Sequence, residues 1–223
     1  MNGEAVITKF YYHSPATVLV VGPTSSGKTH HVFKTLYNRQ NMFSCKVEGI
    51  LYCYSTYQEY FEKYKHFVDF HQGIPHKDFL EEYNLGKTRG QKDRQIIVVI
   101  DDLMTDLNED ICKLFTIRSH HSNITVFFLI QNLFYQHKYM RTVALNAQYI
   151  VLFNLRRDIT QIRTLSTQLF TGKDSGMFLS IYKEAVAQRY GYLLIDIHPK
   201  NHYRIALRKD VFPDDIETVH MWK

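Results

Sequence analysis

The stretch Thr17-Val-Leu-Val-Val-Gly-Pro-Thr-Ser-Ser-Gly-Lys-Thr29 decides the fold. Residues 17–21 are a short apolar, β-branched run and read as a buried strand. A turn-rich segment follows, and residues 29–37 read as a helix. Between them Gly22, Pro23, Thr24, Ser25, Ser26, Gly27, Lys28 and Thr29 match G-x-x-x-x-G-K-[ST] in full, in the strand–loop–helix setting that pattern needs. The glycines let the backbone curl so that successive N–H groups face phosphate oxygens, and the helix N-terminus adds the positive end of its dipole. Lys28 is expected to reach the β- and γ-phosphates and the Thr29 hydroxyl to hold Mg²⁺. ATP and Mg²⁺ are the ligands this loop implies.

Further strands are expected at residues 49–54, 67–70, 95–100, 124–130, 149–153, 192–197 and 204–207. Helical segments are expected at 57–64, from Pro75, at 108–119, and at about 158–170 and 174–188. Strands alternating with helices of this length predict an α/β fold, a mostly parallel central sheet with helices on both faces. The turn-like His198-Pro-Lys-Asn201 joins the last two strands as an antiparallel hairpin at the C-terminal edge. With no repeat and no Pro, Gly or Ser-rich linker, residues 1–223 read as a single domain.

Composition agrees. A chain of 223 residues, 45% apolar with 15 Phe and 16 Tyr, has ample material for a core, which excludes a disordered or fibrous chain. The net charge of +5 permits a polyanionic partner without requiring one. Cys45, Cys53 and Cys112, odd in number and in no metal spacing, read as reduced, mostly buried thiols of an intracellular protein. No signal peptide and no membrane-spanning run are expected.

Two polar clusters end apolar strands. Ile96–Ile100 runs into Asp101-Asp102, at the strand edge where parallel sheets place ligand chemistry. Asp101 is expected to hold the magnesium through water. Asp102, on the other side because strand residues alternate, is expected to polarise the attacking water. The plainer reading is two solvated carboxylates capping the next helix. Ile124–Ile130 runs into Gln131-Asn132, where an amide next to the γ-phosphate would position water or sense hydrolysis, if its strand lies between the first two.

These blocks, GPTSSGKTHHVFK, LYCYSTYQEYF, IIVVIDDLM, SHHSNITVFFLIQNLF and NAQYIVLFNLRRDITQI, together resemble the genome-packaging ATPases of double-stranded DNA viruses. The nearest likeness is to the poxvirus-type and Polinton-like (Maverick, adintovirus) enzymes of the FtsK-HerA superfamily. The resemblance runs from about Thr17 to Gln168, with Gly22–Thr29, Asp101, Asp102 and Gln131 on the family's functional motifs. It implies a parallel sheet with an extra strand between the phosphate-loop and acidic strands. It also implies a homo-oligomeric ring (pentamer or hexamer) acting on double-stranded DNA without sequence preference, an arginine entering the neighbour's ATP site, and a capsid or portal-vertex partner. The implied location is the host nucleus, the virus factory or the assembling virion. One departure stands out: many superfamily members carry Asp-Glu where this chain has Asp101-Asp102. The shorter Asp102 must lie nearer the water or act through a second one. Residues 169–223 carry no part of the resemblance.

For the arginine that crosses to a neighbour, Arg141 is favoured, because the segment after Gln131 reads as surface loop and the family often has an arginine there. Arg118 and Arg156-Arg157 are the alternatives. Residues 85–95, LGKTRGQKDRQ, carry four basic side chains and one acidic. They read either as a plain exposed loop or as a channel-lining loop touching DNA phosphates. His30-His31 and His120-His121 have no metal-ligand spacing, and adjacent helical residues point about 100° apart. The leading function is an ATP-driven packaging motor. The competitors are a cellular or plasmid DNA pump, a nucleotide-gated switch, and a small-molecule kinase or tRNA isopentenyl-transferase, whose phosphate loop GPTSSGKT also resembles. The second strand, LYCYSTYQ, lacks the acid that transferases place there.

Overall fold

β1 (Thr17–Val21) is buried at every position and lies inside a nine-stranded sheet. The computed structural model describes residues 9–118, 122–201 and 205–222. The other strands are β2 (Lys46–Tyr54), β3 (Asp69–Gln72), β4 (Arg94–Asp101), β5 (Ile124–Ile130), β6 (Tyr149–Phe153), β7 (Tyr192–Asp196), β8 (Ile205–Lys209) and β9 (Thr218–Trp222). Their order is β3-β2-β4-β5-β1-β6-β7-β8-β9. The six strands from β3 to β6 are parallel, and β7, β8 and β9 add on antiparallel. The mostly parallel sheet with an antiparallel C-terminal edge is therefore the architecture expected. β5 sits between β1 and β4, which is the extra strand the family resemblance implies.

The sheet is covered on both faces because alternate residues of its central strands are apolar on each side. Val18 and Val20, with Ile97 and Val99, face α1 (Lys28–Tyr37), the short α2 (Arg39–Met42) and a 3₁₀ helix, Glu59–Tyr64. Leu19 and Val21, with Ile96, Val98 and Ile100, face the opposite layer. That layer holds α3 (Lys77–Thr88), α4 (Glu109–Lys113), α5 (Met140–Leu145), α6 (Ile159–Leu169) and α7 (Lys173–Ala185). Aromatic rings bind α1 to β2: Phe33 stacks on Tyr52 at 5.0 Å and on Tyr64 at 4.0 Å.

The structure departs from the sequence expectations at several places. Of segment 57–64 only Glu59–Tyr64 is helical, and as a 3₁₀ helix, its Tyr60 edge-on to Phe33 and its Phe61 tilted against Tyr52 over β2. The helix expected over 108–119 changes pitch at Leu114, where a π-helical turn, Leu114–Arg118, begins. Residues 85–88 belong to α3 and Thr88 is buried, so only 89–93 form the basic loop. α2, α5 and β9 lack a sufficient local signal and were not foreseen. Of the cysteines, Cys53 is buried while Cys45 and Cys112 are half-buried. His120-His121 and the start of the strand expected at 204 lie outside the described residues, as does the Arg118 side chain. Among the described residues no helix is long and apolar enough to cross a membrane.

Candidate nucleotide site

The loop after β1 is held at both ends. Gly22 N–H donates to the Ile130 carbonyl on β5 at 3.1 Å, and the Ser26 N–H turns back to the Pro23 carbonyl at 3.2 Å. Two positions need glycine. A Cβ on Gly22 would lie 2.8 Å from Cβ of Phe153, and Gly27 has φ +106 as the cap of α1. Ser25 is left-handed as well, at φ +61. The first-turn amides of α1 have no intrahelical acceptor and point out of this end. A cavity of about 370 Å³ opens there, lined by Ser25, Ser26, Gly27, Lys28, Thr29, His30 and Tyr190.

Lys28 donates from Nζ to the carbonyls of Gly22 at 2.7 Å and Pro23 at 3.0 Å, so the loop's own backbone satisfies the ammonium. Burial lowers its pKa, opposed by the charges of Asp101 and Asp102. Thr29 Oγ1 lies 3.5 Å from Oδ2 of Asp101, the last residue of β4. Tyr52, buried on β2, donates to the same oxygen at 2.5 Å. The pairing register places Tyr52 beside Val99 and Tyr54 beside Asp101, so Tyr52 reaches the carboxylate diagonally. Asp101 is 8% exposed, and burial raises its pKa against the Tyr52 hydrogen bond and the Lys28 charge. A hydroxyl and a carboxylate converging in this way are the hard oxygen donors Mg²⁺ prefers.

Asp102 turns away from Asp101 through a left-handed backbone at φ +55, not through further strand pleating. A non-glycine residue in that region carries strain of the kind that collects at functional sites. Its Oδ1 accepts from Nε2 of Gln131 at 3.3 Å, so the ends of β4 and β5 are bridged by two exposed side chains. The turn after Gln131 is steadied by buried Gln161, whose Oε1 accepts from the Leu133 N–H at 2.8 Å. The loop, Lys28, Thr29, Asp101, Asp102 and Gln131 are thus brought together at one sheet edge.

Arg141 is not in a loop. It sits in the first turn of α5, because Val143 and Met140 bury against the sheet and draw the chain into a helical turn. Its side chain is exposed, as are those of Arg156 and Arg157 after β6. His30 lines the cavity, whereas His31 is buried against Tyr192 and Phe212. Tyr52, Gln161 and Tyr190 were not read from the sequence as site residues. Their roles depend on strand order and on a distant turn, and no linear motif marks either.

In the basic stretch, Lys87 pairs with Asp69 at 2.8 Å and Arg94 with Glu48 at 2.8 Å, leaving Arg89 and Lys92 exposed in the loop. This loop precedes β4, at the end of the sheet opposite Asp101. The eight residues of β4 put about 25 Å between the two.

Fold and loop define a P-loop NTPase architecture with a strand inserted between β1 and β4. Among solved structures the chain is similar to the genome packaging NTPase B204 from Sulfolobus turreted icosahedral virus 2. In its complex with AMP the TM-score is 0.51 at 16% identity, over 82% of this chain and 92% of that one. In the ATP-gammaS complex the values are 0.52 and 14%, over 94% and 98%. In the AMPPCP complex they are 0.53 and 13%, over the same shares. The likeness is one of fold. No protein-family model matches the sequence, and no curated protein matches it either.

Proposed function

We propose that this chain is an ATP-hydrolysing motor that drives double-stranded viral DNA into a capsid as a homo-oligomeric ring, in the manner of poxvirus-type and Polinton-like packaging ATPases. The observation that carries the reading is the Asp102–Gln131 bridge, 3.3 Å long, across the ends of β4 and the inserted β5. It sets a carboxylate and an amide side by side beyond the phosphate loop, where an attacking water would be oriented. The fold likeness to B204, named a genome packaging NTPase and crystallised with AMP, ATP-gammaS and AMPPCP, supports the same reading.

In this mechanism the backbone amides of Gly27, Lys28 and Thr29, at the start of α1, receive the phosphates. Lys28 leaves the carbonyls of Gly22 and Pro23 for the β- and γ-phosphates. Thr29 and Asp101 would hold Mg²⁺, which when bound neutralises charge on the phosphoryl oxygens. Tyr52 keeps the Asp101 carboxylate turned toward Thr29. Asp102 accepts the proton of the attacking water and Gln131 orients it. The exposed Arg141 completes the site of a neighbouring subunit with its planar guanidinium. Arg89 and Lys92 are free to meet DNA phosphates, a contact blind to sequence. In such an assembly the partners are duplex DNA, further copies of the chain and a capsid or portal-vertex protein. The place of work is the host nucleus or the virus factory.

ATP hydrolysis should rise with duplex DNA of any sequence and lose that stimulation as salt increases. Lys28→Ala should abolish hydrolysis while leaving the thermal transition in place. Hydrolysis near the wild-type rate in folded Lys28→Ala would sink the nucleotide reading. A rate indifferent to duplex across salt would sink the motor and favour a nucleotide-gated switch.

A further inference from the structure

One wall of the cavity over the phosphate loop comes from residues that carry no part of the loop motif. It is Tyr190, in the turn between α7 and β7. The turn is closed by the Gly191 N–H donating to the Gln188 carbonyl at 3.0 Å. Gly191 has no room for a side chain, since a Cβ there would lie 2.4 Å from the Ala185 carbonyl oxygen. Tyr190 itself has φ +63, where a bulky aromatic residue is an outlier and glycine or asparagine is the ordinary choice.

The strained backbone holds the ring in the open. Tyr190 is 52% exposed, although its β- and δ-carbons pack so closely on Gly27 that a Cβ there would meet them at 3.3 and 3.1 Å. Arg189 clamps the ring: its guanidinium lies over it, 4.8 Å from the centroid, and its Nη2 donates to the Tyr190 hydroxyl at 2.9 Å. A half-exposed ring adds little to the core, and a left-handed tyrosine costs stability that glycine would not. The arrangement fits a flat surface presented to a ligand.

We propose that Tyr190 is the platform on which the base of the bound nucleotide stacks, Arg189 fixing the ring in place. The inference rests on the reading of residues 22–29 as the phosphate site. The loop accounts for the triphosphate, and Tyr190 lines the same cavity beside Gly27, so the ring is the aromatic surface offered to base and sugar. Stacking uses the π-face that every base has.

The test compares ATP with inorganic triphosphate, which has phosphates and no base, by calorimetric titration in the presence of Mg²⁺. Tyr190→Ala should weaken ATP binding about 10-fold and leave triphosphate binding unchanged. Tyr190→Phe, which keeps the ring, should retain ATP affinity. Tyr190→Gly should lose ATP affinity like alanine while melting at a higher temperature, since glycine adopts this backbone without strain. Unchanged ATP affinity in Tyr190→Ala and Tyr190→Gly would overturn the proposal, and so would equal losses of ATP and triphosphate. If wild type binds neither ligand, the phosphate-loop reading falls and this inference with it. If wild type binds both and the ring-deleted variants match it, this inference falls alone.

Discussion

Asp101 and Asp196 each end a strand, β4 and β7, and each is buried, at 8% and 3% exposure, but the fold answers their charges differently. Asp196, on the antiparallel edge, meets a cation inside the protein. Arg208 Nε donates to it at 3.3 Å, and the same guanidinium reaches Glu217 at 2.7 Å and lies over Phe10. Among the described residues Asp101, on the parallel side, has only the neutral hydroxyls of Tyr52 and Thr29 in hydrogen-bond reach. The basic group of the loop, Lys28, is bonded to carbonyls. Burial raises the pKa of both aspartates. Asp196 is paired with a cation by the fold itself, whereas Asp101 is left with neutral donors, as the proposed magnesium role requires.

The largest expected effect tests the closed site. Arg208→Met leaves buried Asp196 and half-buried Glu217 without their cation and should cost about 3 kcal/mol of folding stability, with ATPase activity per folded molecule unchanged. The pH dependence has a definite sign. Burial holds both carboxyls above their ordinary values. The folded protein therefore keeps protons that the unfolded chain has released, and this contribution is lost as pH rises through the folded values. Removing Arg208 raises those values further. Denaturant titrations should show the deficit of Arg208→Met growing as pH rises from the ordinary carboxylate range and shrinking in acid. A deficit that does not change with pH would assign the loss to packing on Phe10.

The next effects belong to the open site. Asp102→Asn should slow turnover about 10²-fold with nucleotide binding retained, as loss of a general base does. Asp101→Asn should weaken Mg²⁺ dependence and nucleotide binding together, by about 10- to 100-fold. Its melting temperature should not fall, because no bonded cation is left behind. Steady-state kinetics across Mg²⁺ concentration separate the two. The reverse pattern would exchange their roles, and an Asp101→Asn protein that unfolds would erase the contrast with Asp196.

Tyr52→Phe should have the smallest effect. It removes one hydroxyl from Asp101 and should raise the Mg²⁺ concentration for half-maximal rate by less than about 10-fold. A change in the rate at saturating Mg²⁺ with no change in that half-point would deny Tyr52 a part in turning the carboxylate.

Arg141 remains the sharpest test of the ring. Mixing Arg141→Ala with Lys28→Ala subunits should recover ATPase activity that neither variant has alone, because a mixed ring contains sites with an intact loop and an intact arginine. Co-assembly without recovery would transfer the role to Arg118 or Arg156, or to the site's own subunit.

The readable part of this molecule is the part written in contiguous residues. β1, the loop from Gly22 to Thr29 and α1 form one strand–turn–helix unit, in which each residue's role follows from its neighbours in the chain. β4 and β5 were legible as unbroken apolar runs, since a parallel strand covered on both faces needs no polar alternation. The fold class and the chain position of Asp101, Asp102 and Gln131 followed from these. The basic segment 85–95 was only half legible. Its charges are plain in the sequence, but the ion pairs of Lys87 with Asp69 and Arg94 with Glu48 join residues brought together by packing. Arg141 reads as loop because α5 is six residues long, too short for local propensity to hold without its buried Val143.

The phosphate loop, the alternation of strands and helices and the acidic and amide strand ends are legible without the fold, because those are properties of local spacing. Strand order, and everything that crosses it, was decided by the tertiary structure. Placing β5 between β1 and β4 brings Gln131 to Asp102, and placing β2 beside β4 brings Tyr52 to Asp101. The turn before β7 carries Tyr190 back over Gly27. Each of these contacts spans at least 29 residues of chain. They form because burying both faces of one sheet allows few arrangements of its strands, a constraint that acts on the whole chain and leaves no mark in any single stretch.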